Sequence, residues 1–211
     1  IDLSSEELKY LFDECKFSMG SDESRQYLNG IYFHKIDKKI TTVATDGHRL
    51  SKCEIDSGQS TLEFDGIIIP KKTVNEISKL LEDYNDNVKI NFSKTRIKLT
   101  FGNVQFISKL INASFPDYES VIPKDNNKEL IINRLEFLST VKRVSVLSNK
   151  TTKQISLNLS KDSVKITTED AEKSSKGFEN IYGSFIGEDL IIGYNAAYLK
   201  DILSHLITDE I

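Results

Sequence analysis

The chain is built from one pattern used twice. Each half runs through a helix, a strand, a polar turn and a strand ending in an acidic step, Thr45-Asp46 in the first half and Glu169-Asp170 in the second. A further strand follows, then Ile67-Ile68-Ile69-Pro70 or Leu190-Ile191-Ile192-Gly193 leads into a second helix. The offset between the halves is about 124 residues, too long for a solenoid repeat and right for a duplicated domain. Each half must therefore bury its own core. Two prolines, Pro116 and Pro123, and the polar run Lys124 to Lys128 break the periodicity between them.

The helices carry start signals. Ser4 precedes Glu6 and Glu7, as a helix N-terminus prefers. Leu8, Leu11, Phe12, Cys15 and Met19 then recur at three and four. After Pro70 the stripe is Val74, Ile77, Leu81 and Tyr84. A third helix is expected from Asn133 to Ser148, with Leu138, Val141 and Val144 inward. A fourth begins near Asn195, with Leu199, Ile202, Leu203 and Leu206 inward. Between the helices the period falls to two, as in Val88 to Phe92, Arg96 to Phe101, Ile155 to Leu159 and Val164 to Thr167. Phe101-Gly102-Asn103-Val104 reads as a tight hairpin. The expected fold class is α+β, two domains each with two helices on antiparallel sheets. After its second helix the first half adds strands from Val88 to Leu110, and the second half reaches Ile211. By internal symmetry the second domain lacks its last strands, roughly 20 to 30 residues. That symmetry leads us to expect a fragment, with an unpaired sheet edge.

The 28 Lys and Arg stand against 32 Asp and Glu, a net charge of −4, so the surface as a whole does not attract nucleic acid. One basic face still could. Lys9 and Lys16 share a face of the first helix, and Lys71, Lys72 and Lys79 are placed on one face of the second. Lys142 and Arg143 lie on the third helix and Lys200 on the fourth. Such faces are either a solvated helix surface or a track for a phosphate backbone, salt-dependent and blind to sequence. Glu6, Glu7, Asp13 and Glu14 weaken the second reading on the first helix. No apolar run approaches the roughly 20 residues of a membrane helix. The acidic start is unlike a signal peptide, and the two cysteines, Cys15 and Cys53, fit a reducing cytoplasm.

Chemistry-bearing motifs are sparse. His34, His48 and His205 lack metal-pair spacing, neither cysteine sits in C-x-x-C, and no phosphate loop occurs, so no metal or cofactor is expected. The one dense polar cluster is Thr45-Asp46-Gly47-His48-Arg49-Leu50, with Cys53 nearby. It can be read as a hydrolase centre, with Asp46 orienting His48 and Cys53 as nucleophile. The reading we favour is a strand-end turn or binding surface shaped by Asp46 and Gly47.

Several strings together carry a resemblance: Tyr27-Leu28-Asn29-Gly30, Val43 through Leu50, Ile69-Pro70-Lys71-Lys72, Ser108-Lys109-Leu110, Phe115-Pro116-Asp117-Tyr118 and Arg143 through Asn149. In this order they resemble the bacterial DNA polymerase III beta subunit, the sliding clamp family. The match runs the whole length, over that family's middle domain (1–118) and most of its C-terminal domain (119–211). The resemblance implies the DNA-clamp (processivity) fold and a non-catalytic replication factor of the cytoplasm. The full-length family protein is a homodimeric ring around double-stranded DNA. The resemblance further implies DNA-facing residues, here Lys9, Lys16, Arg25, Lys71, Lys72, Lys79, Lys142, Arg143 and Lys200.

The family's peptide pocket carries over as Leu28, Thr45, Gly47, His48, Arg49, Leu50, Pro116, Ser120 and Val121. Leu28, Leu50, Pro116 and Val121 would form the apolar floor, and His48 and Arg49 a donor-bearing rim. Relatives often carry Arg where this chain has Ser120, so a rim charge is absent. The family's C-terminal tail supplies further pocket wall beyond these residues. The implied partners are the polymerase III catalytic subunit, the clamp loader and other clamp-motif proteins, with no membrane. The rival readings are the hydrolase centred on Asp46, His48 and Cys53, and a β-rich interaction module that never meets DNA.

Overall fold

The computed structural model describes residues 1–56 and 64–211. It divides into two compact units, Ile1–Val121 and Ile122–Ile211. Unit 1 opens with β1 (Asp2–Ser4) and α1 (Ser5–Lys16), followed by β2 (Gly30–Ile36), β3 (Lys39–Thr45), β4 (Leu50–Asp56) and β5 (Ile67–Pro70). Then come α2 (Lys71–Leu80), β6 (Asn87–Phe92), β7 (Arg96–Phe101) and β8 (Val104–Lys109). The strands form two antiparallel sheets, in the orders β4-β3-β2-β5 and β1-β6-β7-β8.

Local chemistry explains the boundaries. The Ser4 hydroxyl accepts the Glu7 N–H at 3.2 Å, and the Glu7 carboxylate accepts the Ser4 N–H at 2.8 Å. This reciprocal cap satisfies two amides that the helix start would orphan. Gly102, at φ +52°, turns β7 into β8 so that Phe101 pairs with Val104. Leu8, Leu11, Phe12 and Cys15 of α1 and Val74 and Ile77 of α2 are buried with residues of both sheets in one core. Met19 lies beyond the helix end at Lys16 yet remains in that core.

Unit 2 repeats the plan with β9 (Glu129–Ile131), α3 (Arg134–Val144), β10 (Gln154–Ser160), β11 (Ser163–Asp170), β12 (Ser175–Ile181), β13 (Ser184–Ile186), β14 (Leu190–Asn195) and α4 (Ala196–His205). Its four-stranded sheet, β12-β11-β10-β14, has the topology of β4-β3-β2-β5. Asn133 and Asn195 cap α3 and α4 by accepting the N–H groups of Glu136 and Ala197, both at 2.9 Å. Ile132 and Ile211 exchange backbone hydrogen bonds at 2.9 and 3.1 Å, the counterpart of Leu3 paired with Val88. Among the described residues nothing in unit 2 corresponds to β7 and β8. Two expectations need correction. The third helix stops at Val144, and Ser145–Leu147 continue as a 3-10 turn. Leu206 is 38% exposed, because the backbone turns extended there and leaves the helical stripe.

Candidate functional site

The polar cluster of the sequence is the β3–β4 connection of unit 1, and its groups hold one another. Asp46 Oδ1 accepts the backbone N–H groups of His48 at 2.9 Å and Arg49 at 3.1 Å. The Thr45 hydroxyl accepts the Gly47 N–H at 3.0 Å and donates to the Arg49 carbonyl at 2.6 Å. Gly47 sits at φ +90°, a backbone conformation that a side chain would strain. A Cβ there would also lie 2.6 Å from Arg25 Nη1.

Arg49 is aimed by Asp46 and Phe17. Its Nε donates to Asp46 Oδ2 at 3.2 Å, its Nη2 donates to the Phe17 carbonyl at 2.7 Å, and its guanidinium lies 5.6 Å from the Phe17 ring centre. The turn therefore holds the Arg49 guanidinium in place, with His48 and Gly47 exposed beside it. Arg25, counted among the DNA-facing residues, stands over Gly47, its Nε bound to Asp22 at 2.9 Å. The structure puts it at this turn.

This geometry argues against the hydrolase. The carboxylate of Asp46 is spent on two backbone amides and on Arg49. Asp170, its counterpart in unit 2, also holds a turn: its Oδ1 accepts the Glu172 N–H two residues on, at 3.1 Å, with no histidine following. The aspartate is thus a turn-former in both halves. Cys53 is buried, and burial pushes its thiol pKa up, opposite to an activated nucleophile. Burial also pushes the neighbouring Cys15 thiol up, to about 12.

The apolar positions are placed unequally. Leu28 is buried, Leu50 half-buried, and Pro116 and Val121 exposed. The segment carrying Pro116, Ser120 and Val121 is tied to β4: Lys52 Nζ, two residues past Leu50, binds Glu119 at 2.9 Å and Glu54 at 3.1 Å. Ser120 donates its hydroxyl to the Asp117 carbonyl at 2.7 Å, closing the short 3-10 turn Glu119–Val121. The sequence reading missed Phe17, Lys52 and Glu119. Alternation along β4 puts Lys52 on the face of Leu50, a signal that was available; the Phe17 carbonyl left none.

In unit 1, α1 and α2 flank a cleft of about 330 Å³ lined by Lys9, Lys16, Lys79, Asp13, Ser78 and Glu82. Lys16 pairs with Asp13 at 2.6 Å, Lys9 Nζ reaches the Glu82 carbonyl at 3.3 Å, and Lys79 lies 3.5 Å from Glu76. Lys72 is exposed on the same helix, while Lys71 reaches back to the Gly20 carbonyl at 3.4 Å. In unit 2, Lys142 is exposed, but Arg143 is held by Glu179 on β12 at 2.6–3.1 Å. Lys200 lines a smaller cleft of about 210 Å³ with Lys150 and Lys153, two lysines the sequence reading passed over because they lie off the helices.

None of the helices of the described residues is long and apolar enough to cross a membrane, and among those residues no His, Cys, Asp and Glu cluster could hold a metal.

Comparison with known proteins puts both units in one family. Residues 2–117 match the family model for the DNA polymerase III beta subunit, central domain, and residues 119–211 that for its C-terminal domain. The chain is 32% identical over 210 residues to the beta sliding clamp of Caulobacter vibrioides, covering 98% of this chain and 56% of that protein. It is 35% identical over 220 residues to that of Rickettsia bellii, covering 98% and 58%. Among solved structures, the sliding clamp of Bartonella birtlesii bound to griselimycin matches at TM-score 0.96 and 39% identity, over 100% of this chain and 57% of that one. The Pseudomonas aeruginosa clamp bound to griselimycin matches at 0.94 and 31%, over 100% and 57%. The fold is that of the sliding clamps, and the chain spans little more than half the length of these relatives.

Proposed function

From the premise that this chain belongs to the DNA polymerase III beta-subunit family, we propose that it forms the middle domain and part of the C-terminal domain of a replication sliding clamp, a non-catalytic cytoplasmic protein. The full-length clamp would encircle duplex DNA as a head-to-tail dimer and tether the polymerase, the clamp loader and other proteins bearing short apolar-ended motifs. The observation that carries this reading is the Thr45–Leu50 turn. Its polar groups fix the backbone and aim the Arg49 guanidinium; none is set up to break a bond. Leu28, Leu50, Pro116 and Val121 supply the apolar side, and His48 and Ser120 stand at its rim. A preorganised cation beside apolar anchors suits a short peptide.

The lysines of α1, α2, α3 and α4 suit the second part of the task. Several are already paired with carboxylates or carbonyls, so those offer weak, sequence-blind phosphate contacts. Tight contacts would oppose sliding; enclosure supplies the grip. Two experiments test the reading. Griselimycin, bound by the two relatives above, should bind this chain, and Arg49→Ala should weaken that binding by about 1–3 kcal/mol, as for a charged hydrogen-bond donor. Undiminished affinity would remove Arg49 from the site. For the clamp itself, the full-length protein loaded on nicked circular DNA should be retained and then released on linearisation. Retention after cutting would favour a surface binder, and no retention on circles a module that does not meet DNA.

A further inference from the structure

The β4-β3-β2-β5 sheet has residues packed against both of its faces. The core lies on one; on the other, Phe115 and Tyr118 of the 115–121 segment pack over Tyr32 and His34 of β2. On that outer face Tyr32 and His34 alternate along β2, Val43 and Thr41 stand opposite them on β3, and Lys52 and Glu54 follow on β4. The Phe115 ring stacks on Tyr32 at 4.8 Å, and Tyr32 stacks on His34 at 4.4 Å. Tyr118 meets both edge-on, at 6.4 and 5.5 Å. His34 Nε2 and the Tyr118 hydroxyl share a buried hydrogen bond of 2.9 Å. With the Lys52–Glu119 pair, these contacts fasten the segment that carries Pro116, Ser120 and Val121.

The imidazole is the sensitive part of this fastening. His34 is buried, and among the described residues neither its Nδ1 nor the hydroxyl of Thr41, its cross-strand neighbour, makes a hydrogen bond of good geometry. Burial first, and the Lys52 ammonium second, hold the His34 pKa below its ordinary value. The Tyr32 carbonyl and the carboxylates of Glu119 and Glu54 pull the other way and are outweighed. A proton on this ring puts a donor on both nitrogens and a second cation beside Lys52. A group whose pKa is lower folded than free gives stability that is complete above the free value and is lost as pH falls below it. For histidine that loss begins near about pH 6.5.

We infer that His34 and Tyr118 are positioning residues for the 116–121 wall of the peptide site, and that this wall lets go of the sheet when His34 takes up a proton. The inference rests on the peptide-site reading above, and its test separates the two. Griselimycin affinity of the 211-residue chain is measured by calorimetry at about pH 7.5 and about pH 5.5, bracketing histidine titration. The same is done for His34→Gln and His48→Gln, since His48 is the other imidazole of the site. The expected result is weaker binding at the lower pH in the wild type and in His48→Gln, by up to about tenfold per pH unit between the free and the folded pKa, with the ratio cut to within about twofold in His34→Gln. A pH response that survives in His34→Gln and vanishes in His48→Gln would overturn it. Hydrogen exchange of the 114–121 amides, corrected for intrinsic rate, supplies a readout without ligand. Protection should fall with pH in the wild type, stay level in His34→Gln, and be reduced already at neutral pH in Tyr118→Phe. Level protection in the wild type refutes the inference even if griselimycin fails to bind, an outcome that by itself would count against the peptide site alone.

Discussion

Asp46 holds the β3–β4 turn with one oxygen and Arg49 with the other, so its two tasks can be separated by mutation. Asp46→Asn keeps an oxygen for the backbone amides of His48 and Arg49 but turns a neutral amide toward the guanidinium. Asp46→Ala removes both. The Asp46 and Arg49 side chains are only 18% and 13% exposed, and the Oδ2–Nε contact is single and long, 3.2 Å. The pair should therefore contribute about 1–2 kcal/mol, above an exposed ion pair and below the cost of breaking a fully buried one. Arg49 keeps its 2.7 Å bond to the Phe17 carbonyl, which limits the loss further. The two backbone bonds resemble a helix N-cap and should add about 1 kcal/mol. A double-mutant cycle measured by urea denaturation then has defined corners. Asp46→Asn alone should cost about 1–2 kcal/mol and Asp46→Ala about 2–3. In an Arg49→Ala background Asp46→Asn should cost under about 0.5 kcal/mol, while Asp46→Ala still costs about 1. Equal costs for the two replacements in that background would show that the backbone bonds do not hold the turn and that Arg49 is not preorganised by it.

Other substitutions probe other parts of the molecule. Gly47→Ala should destabilise unit 1 by about 1–2 kcal/mol and weaken griselimycin binding, because φ +90° strains a side chain and the new methyl meets Arg25; thermal melts and titration check both. Ser4→Ala breaks the reciprocal cap of α1 and should cost about 1 kcal/mol in urea denaturation. Cys15, with its thiol pushed up to about 12, should resist iodoacetamide in the native protein near neutral pH and react once urea exposes it; mass spectrometry of the labelled protein distinguishes the two. Glu179→Gln frees Arg143. In the full-length protein it should tighten DNA binding and steepen the log K against log salt slope by about one charge.

The helices were legible because caps and apolar stripes are local. Ser4, Asn133 and Asn195 each announce a helix start, and each caps one. The hairpins were legible for the same reason. The strands β1, β9 and β13, three residues each, are too short to show a period; they exist because another strand pairs with them. The candidate site was half legible. Its turn is contiguous in sequence, so Asp46, Gly47 and Arg49 could be read together. Its other side depends on contacts across 67 and 84 residues, Lys52 with Glu119 and His34 with Tyr118, and no local pattern encodes such partners. The fate of the charges was least visible: Arg143 looks free on its helix until β12 brings Glu179 alongside.

The strand β3 is buried along Ile40–Ala44, with the Thr42 hydroxyl donating to the Leu11 carbonyl of α1 on one side and Thr41 and Val43 under the aromatic layer on the other. A strand enclosed this way has almost no position where a new side chain fits without disturbing one layer or the other. Compounds aimed at the neighbouring turn would therefore meet escape variants at the exposed residues His48, Ser120 and Val121, while the strand that supports the turn accepts few changes. A ligand that draws its affinity from Thr45 and Arg49, and little from those three, would be hard to evade.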